Sequence, residues 1–279
     1  MSVSKTQIDR LGDRLKEGFH TESDLRLLDD YRWSFGEAYE AVVRTIRRGG
    51  EFPTGRLAKS TLSIVEKLRR ESIRLSQMQD IAGCRVVVTN VVQQDRFVAT
   101  LKTEFSGASV IDRRDKPSYG YRAVHVIAEI SGKPIEIQVR SSLQHLWAEL
   151  SEKSSDVLDP TIKYGGGPDR WRNILIASSK AVAAYEKFEK SHFNQMESLE
   201  RLVESHEKLK GFIAKAFERP LADQKEELRG MLENSTCEVK RLKRDSEESR
   251  EDVVRSWNTL ADILQVEISR LDALERKKQ

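Results

Sequence analysis

Hydrophobic and polar positions divide the chain into two parts with different periods. Before about residue 170, short apolar runs alternate with helical patterns, whereas beyond it apolar residues recur at spacings of three and four. This spacing predicts one long helix from Trp171 to Arg219 and a helical stripe from Val253 to Leu274. Between them, Pro220 suits a helix start, and Glu238 to Asp252 is typical of a solvated helix or a flexible joint. We therefore expect residues 171–279 to form an antiparallel helical hairpin or a coiled coil.

The first part predicts an α+β fold, a mixed β-sheet flanked by helices, because strands and helices interleave around at least one hairpin. The hairpin turn is Ser131-Gly132-Lys133. Strand patterns cover Cys84 to Thr89, Val110 to Ile111, Tyr121 to Ile130 and Pro134 to Val139. Helical patterns cover Thr21 to Arg47, Ser60 to Arg74, Asp95 to Glu104 and Ser141 to Ser151. We expect two domains, residues 1–170 and 171–279.

Charge is unevenly distributed, although the net charge is only +3 and 33% of residues are charged. Residues 171–279 hold 21 basic and 21 acidic side chains, so the surplus lies in residues 1–170, which hold 27 and 24. Residues 44–74 alone carry nine Lys or Arg against three Glu. Such a field gathers phosphates, although a solvated helix with a basic face has the same composition.

Several classes of protein are disfavoured. No apolar run reaches the length of a membrane span, and the first residues lack the apolar core of a signal peptide. Cys84 and Cys237 form no ligand set, so neither a zinc module nor a disulfide scaffold is expected. This use of cysteine instead favours the reducing cytoplasm as the location. Neither a P-loop nor a dinucleotide-binding glycine motif is present.

Candidate chemistry lies beside the predicted strands. Asp80 precedes one strand and Glu136 lies within another, and two such carboxylates could hold Mg²⁺. A period of two places Glu136, Gln138 and Arg140 on one strand face, which either lines a site or meets bulk water. Tyr121, Ala123 and His125 also share a face, which suits a nucleotide pocket or a half-buried Tyr/His pair.

Five blocks between about residues 50 and 170 resemble the synthetase domain of the RelA/SpoT family of (p)ppGpp, or alarmone, synthetases. They are TGRLAKSTLSIVEKLRR, QDIAGCRVVV, KPSYGYRAVHVIAEI, PIEIQVRSSLQHLWAELSEK and IKYGGGP. The chain is most similar to the stand-alone small synthetases. The resemblance implies a nucleotidyltransferase-like sheet and a pyrophosphokinase that moves the β,γ-pyrophosphate of ATP to the 3′-hydroxyl of GDP or GTP.

The resemblance also implies roles for individual residues. Asp80 matches the aspartate that binds Mg²⁺, and Glu136 matches the glutamate that assists the metal and activates the 3′-hydroxyl. Tyr121 matches the tyrosine that stacks on guanine. The residues matching ATP ligands are Arg56, Lys59, Lys67, Arg70 and Arg85. Those matching the guanine-nucleotide side are Lys116, His125, Gln138 and Arg140, with Arg114 and His145 as further candidates.

Two alternatives to a guanine-nucleotide synthetase stay open. Some relatives are toxic synthetases that act on tRNA 3′ ends or adenine nucleotides, but the chain lacks a dense basic tract beyond residues 44–74. The other alternative is a non-catalytic nucleotide sensor, which retention of both Asp80 and Glu136 disfavours. We also expect a homo-oligomer through the apolar stripes of residues 171–279 and no membrane partner.

Overall fold

The computed structural model describes residues 4–216 and 222–277, and side chains outside 213–228. The helices are α1 Lys5–Glu17, α2 Glu22–Trp33, α3 Gly36–Arg48, α4 Thr61–Arg70, α5 Val91–Glu104, α6 Ser142–Val157, α7 Asp169–Ala216 and α8 Ala222–Arg276. The strands are β1 Thr54–Arg56, β2 Ala82–Val88, β3 Ser109–Asp112, β4 Val124–Ile130 and β5 Lys133–Ser141. Short 3₁₀ turns occupy Leu75–Gln77 and Ile162–Tyr164.

The chain divides into two compact units. One comprises Met1–Ala148 with Lys163–Gly165, and the other comprises Glu149–Ile162 with Gly166–Gln279. The proposed division into domains at residue 170 stays a prediction about parts that fold independently.

The five strands of the first unit form one mixed sheet in the order β1-β2-β5-β4-β3. Only β2 and β5 run parallel, and the other neighbours are antiparallel. Strands β4 and β5 are joined by Ser131 and Gly132, both with positive φ, which is the geometry of a type I′ hairpin turn. The predicted mixed sheet and its hairpin are confirmed.

The two faces of this sheet differ in chemistry. Cys84 and Val86 of β2, Ile137 and Val139 of β5, and Val126 of β4 point into one hydrophobic core. Helices α3 and α5 contact β2, β4 and β5. Because side chains alternate along a strand, the residues between these core positions lie on the opposite face, where the polar residues occur.

One predicted helix is two helices in the structure. The pattern from Thr21 to Arg47 is interrupted between α2 and α3, and Phe35 at the break is only 1% exposed. The Phe35 ring packs edge-on against Tyr31, with ring centroids 5.3 Å apart. The prediction of continuity was wrong because this turn places an aromatic side chain in the core, which periodicity alone does not reveal.

Helices α7 and α8 of the second unit form an antiparallel hairpin, as predicted. His192 lies 2.9 Å from the Ser249 hydroxyl and His206 lies 2.8 Å from that of Ser235, so partner numbers run in opposite directions. The charged stretch Glu238 to Asp252 is continuous helix rather than a joint. The helix start predicted at Pro220 lies outside the described residues, as does the predicted helix end at Arg219. In the parts of the chain that the structure describes, no helix is long and apolar enough to span a membrane.

Candidate active site

The polar face of the sheet places the candidate residues side by side on neighbouring strands. Arg56 of β1 lies opposite Gly83 of β2, which in turn lies opposite Glu136 of β5. One pleat further along, Arg85 of β2 lies opposite Gln138 of β5. Glycine between Arg56 and Glu136 removes a side chain from the centre of this face. The register therefore places Arg56 and Glu136 on either side of Gly83, where an added Cβ would lie 2.7 Å from the Glu136 carbonyl oxygen.

Five side chains on β4, β5 and the preceding turn form a closed ring of hydrogen bonds. His125 Nδ1 lies 2.9 Å from Glu136 Oε1, and His125 Nε2 lies 2.9 Å from the Tyr121 hydroxyl. Arg140 Nη2 donates to the Tyr121 hydroxyl at 3.2 Å and to Gln138 Oε1 at 3.1 Å. Gln138 Nε2 closes the ring by donating to Glu136 Oε2 at 2.8 Å. Each of the five is thereby held in one orientation.

The hydrogen-bond ring indicates which atoms of His125 and Tyr121 carry a proton. Because Nδ1 of His125 faces a carboxylate, a neutral imidazole carries its proton there, and Nε2 accepts from the Tyr121 hydroxyl. Burial raises the pKa of Tyr121, and the neighbouring Arg140 opposes only part of that effect. The Tyr121 hydroxyl is therefore a protonated donor at neutral pH.

Asp80 is held by two lysines at the end of the sheet where β2 begins. Lys59 Nζ donates to Asp80 Oδ2 and Lys67 Nζ donates to Asp80 Oδ1, each at 2.9 Å. All three side chains are largely buried, with 12%, 20% and 17% of Lys59, Lys67 and Asp80 exposed. The peptide N–H of Lys59 also donates to the Ile81 carbonyl at 2.7 Å, which ties the lysine to the strand start.

Both candidate carboxylates are ionised at neutral pH. Burial alone would raise the pKa of Asp80, but the charges and hydrogen bonds of Lys59 and Lys67 outweigh it and the pKa lies below its usual value. Burial likewise acts against ionisation of Glu136, and the hydrogen bond from His125 leads the effects that lower its pKa. The charge of Asp80 acts on Glu136 in the opposite direction, so the two carboxylates repel each other.

This pair of carboxylates fits a magnesium ion. Mg²⁺ is usually bound by one or two carboxylates, with substrate phosphates and water completing its octahedron. Among the described residues, no group of three or more His, Cys, Asp or Glu side chains is placed to hold a metal, so an ion at Asp80 and Glu136 would take its other ligands from water or from a bound substrate. A cation binding to Asp80 would compete with the ammonium groups of Lys59 and Lys67.

Comparison with known proteins identifies the segment that carries this site. Residues 55–155 match the model of the region found in RelA / SpoT proteins. This chain contains a RelA/SpoT domain. Uncharacterized proteins of Mycobacterium bovis and Mycobacterium tuberculosis are 31% identical to it over 175 residues, which is 60% of this chain and 64% of theirs. The match thus spans less than two thirds of these relatives.

One solved structure is also similar to the chain. The small alarmone synthetase 1 from Bacillus subtilis is 26% identical, with a TM-score of 0.45. The similarity covers 64% of this chain and all of that one.

Most predicted ligands of the RelA/SpoT domain lie together on the polar face. They form two clusters. One is Asp80 with Lys59 and Lys67, here called the Asp80 clamp, and the other is the ring that includes Glu136. The negative charge of Asp80 acts on Glu136 across the space between them. Arg56 and Arg85 lie on the same face of neighbouring strands. Arg70 is one helical turn beyond Lys67 at the end of α4, and its guanidinium carbon lies 4.2 Å from the centre of the Tyr164 ring.

Three predicted acceptor ligands are placed differently. The Arg114 guanidinium, 13% exposed, is held by Asp112 and by Asp95 of α5, on the core side of the sheet. It is therefore engaged in structural ion pairs and is not part of the site that we propose. Lys116 is exposed on the loop between β3 and β4, and His145 is half-buried in the first turns of α6.

Sequence reasoning missed two residues that touch the site. Arg32 of α2 donates to the Lys59 carbonyl at 3.0 Å and to the Thr61 hydroxyl at 3.2 Å, although it lies outside the matched segment. Tyr164 contacts Arg70, and its only signal was membership of the IKYGGGP block. Neither role was visible without the folded chain, because both contacts join distant parts of the sequence.

Proposed function

We propose that the protein is a pyrophosphokinase that transfers the β,γ-pyrophosphate of ATP to the 3′-hydroxyl of GDP or GTP, producing (p)ppGpp. The observation that carries the proposal is that a RelA/SpoT domain brings together two ionised carboxylates whose charges interact, Asp80 between two buried lysines and Glu136 on the polar face of the sheet. Transfer of a phosphoryl or pyrophosphoryl group depends mainly on alignment and charge neutralisation, for which such a set is suited.

The cationic side of the site would hold ATP. Arg56 lies opposite Gly83 and Arg85 lies two residues further along β2. Lys59 and Lys67 both donate to Asp80. Mg²⁺ held by Asp80 and Glu136 would neutralise the charge that develops on the transferred pyrophosphate. The two lysines are positioned to pass from Asp80 to phosphate oxygens, since an ammonium group binds either anion.

Glu136 would accept the proton of the 3′-hydroxyl. A carboxylate offers about four lone-pair directions, so the bonds from His125 and Gln138 leave room for a hydroxyl. Because these two donors fix the carboxylate in place, Glu136 can orient the attacking oxygen without rotating. Its lowered pKa keeps it ionised. Proton transfer to Glu136 would occur as the bond from the 3′-oxygen to the β-phosphorus forms and the β-phosphorus bond to AMP, the leaving group, breaks.

The acceptor side would use the rest of the ring. Tyr121 supplies an aromatic face for guanine, and Arg140 supplies charge. Arg140 is 3% exposed, yet no acceptor among the described residues reaches its Nε and Nη1. Buried donors without partners cost about 1 to 3 kcal/mol each, so a substrate oxygen at this position would recover that loss. Gln138, His125 and exposed Lys116 complete this side.

The test is a transfer assay with Mg²⁺ and γ-labelled ATP against GDP, GTP, ATP alone and deacylated tRNA. We expect label on GDP or GTP, and a loss of about 100-fold or more in Glu136→Gln, because the proton acceptor is removed. Glu129→Gln is the matched control, since Glu129 is an exposed carboxylate on the adjacent strand and should keep full activity.

The remaining outcomes each contradict part of the proposal. Label on tRNA or on an adenine nucleotide would retain the chemistry and replace the acceptor. Absence of transfer to every acceptor by the wild-type chain would favour a nucleotide sensor. Equal activity of Glu136→Gln and the wild type would remove Glu136 from the mechanism.

A further inference from the structure

The segment Lys163–Gly165 folds with the first unit, although it lies beyond the end of the matched RelA/SpoT region. No predicted site residue belongs to this segment. Two contacts tie it to opposite sides of the site: Tyr164 to Arg70 on the ATP side, and Gly165 to Tyr119 on the acceptor side.

The first contact orients a cation that points out of the protein. The Arg70 guanidinium carbon lies 4.2 Å from the centre of the Tyr164 ring, within cation–π range, and Arg70 Nη2 donates to Glu71 at 3.0 Å. Arg70 remains 38% exposed, so a ligand can still reach it. A flexible arginine held by a ring and a carboxylate loses less conformational entropy when it binds phosphate or a base.

The second contact positions the turn that carries Tyr119 and Tyr121. Gly165 has φ +81°, and a Cβ at this position would overlap the Tyr119 ring. Tyr119 itself has φ +53°, which is unusual for a residue with a side chain. It occupies a tight turn in which the Tyr121 N–H donates to the Ser118 carbonyl at 2.9 Å. The direction in which Tyr121 leaves this turn therefore depends on the space that Gly165 provides.

We propose that Tyr164 and Gly165 are positioning residues that align both nucleotides, Tyr164 through Arg70 for ATP and Gly165 through Tyr119 for the acceptor. This inference rests on the proposed function, because it takes Arg70 as an ATP ligand and Tyr121 as an acceptor ligand. It assigns the two effects to adjacent residues, so substitutions one position apart should affect different substrates.

The experiment separates the two substrates in the full-length chain. Initial rates are measured against ATP at saturating GDP and against GDP at saturating ATP. Affinities for α,β-methylene-ATP and for GDP are measured by calorimetry with Mg²⁺. The variants are Tyr164→Ala, Tyr164→Phe, Gly165→Ala, Arg70→Ala and the Arg70→Ala/Tyr164→Ala double variant. Phe19→Ala, which removes an exposed aromatic side chain of the same unit, is the control.

We expect Tyr164→Ala to raise the KM for ATP and the Kd of the analogue about tenfold with little change for GDP. Tyr164→Phe should restore most of the affinity, because the ring face is kept. The double variant should bind the analogue no more weakly than Arg70→Ala, since Tyr164 acts through Arg70. Gly165→Ala should show the reverse pattern, with weaker GDP binding and near-normal ATP binding, and Phe19→Ala should match the wild type.

Each contrary result is distinguishable from failure of the proposed function. Equal effects on both substrates, or additive effects in the double variant, would overturn the inference by showing a general loss of structure. If the wild type binds both nucleotides but transfers nothing, the proposed function fails and the Kd pattern still decides the inference. If the wild type does not bind the ATP analogue, the inference is overturned together with the ATP site.

Discussion

The Tyr121 hydroxyl links His125 and Glu136 to the buried Arg140. It donates to His125, which holds Glu136, and it accepts from Arg140. The same side chain also carries the aromatic face proposed for guanine. Stacking and hydrogen bonding at Tyr121 can therefore be separated by substitution, because phenylalanine keeps the aromatic ring for stacking but lacks the hydroxyl that forms the hydrogen bonds.

We expect Tyr121→Phe to lower kcat/KM for the acceptor about tenfold or more, since it removes the hydrogen bond with His125 and the one from charged Arg140, which alone contributes about 1.5 to 3 kcal/mol. Tyr121→Ala should lose about 1 to 3 kcal/mol more, the contribution of stacking on a base. Steady-state rates against GDP and GTP, with the KM for ATP as internal control, measure the difference. Equal losses in the two variants would exclude stacking as the role of the ring.

Arg114 shows why a residue type near a motif is weak evidence for a ligand. It lies in the loop between β3 and β4, only seven residues before Tyr121, yet its guanidinium pairs with Asp95 and Asp112. Sequence distance does not determine which side of a sheet a long side chain reaches once the strand has ended. The ion pairs with Asp95 and Asp112, which form only in the folded protein, determine where the Arg114 guanidinium lies.

At the scale of elements, hydrogen bonds from α2 to the residues at the start of α4 hold the backbone of the Asp80 clamp in place. Arg32, 14% exposed, donates to the Lys59 carbonyl, while the Lys59 N–H donates to the carbonyl of Ile81, the residue before β2. The backbone of Lys59 is thus fixed on both sides, and its ammonium group is directed at Asp80. A helix outside the RelA/SpoT match thereby positions a lysine within it.

We expect Arg32→Ala to weaken kcat/KM for ATP about tenfold or more, because a hydrogen bond from a charged group contributes about 1.5 to 3 kcal/mol. Arg26→Ala is the matched control: Arg26 is on the same helix, its side chain is 77% exposed, and it pairs with exposed Glu22. Titration of ATP in the transfer assay gives the measurement. A similar loss in both variants would mean that α2 is merely destabilised.

On the scale of the whole molecule, α7 and α8 leave many apolar side chains exposed. Leu264 and Leu271 are buried in α8, whereas Ile263 and Val266 are 55% and 49% exposed. A hairpin that buries only part of its apolar surface is typical of helices that associate further. Oligomerisation through these helices therefore stays our prediction for the full chain.

Sedimentation equilibrium at micromolar concentration should show a dimer or a larger assembly. Replacing Ile263 and Val266 together by Glu should dissociate it, since two charges would be buried at the interface. Replacing Ser256 and Thr259 by Glu adds the same charges at the same spacing on exposed positions and should leave the assembly intact. A monomeric wild type would contradict the prediction.

Several features followed from local pattern alone. They are the hairpin turn at Ser131 and Gly132, the alternation of Glu136, Gln138 and Arg140, and the helical character of α7, and each depends on residues that are near in sequence. The RelA/SpoT resemblance likewise needed only the order of five short blocks. Periodicity and turn chemistry determine such features because they act over a few residues.

Only the tertiary structure decided which groups meet. The break before Phe35, the engagement of Arg114 by α5, and the contacts of Arg32 and Tyr164 all join residues far apart in the chain. Each arises because burial and charge pairing are satisfied in three dimensions, where the partner of a side chain depends on how the elements pack. The sequence by itself determined most of the elements and the candidate site residues, and the packing determined how those side chains are held.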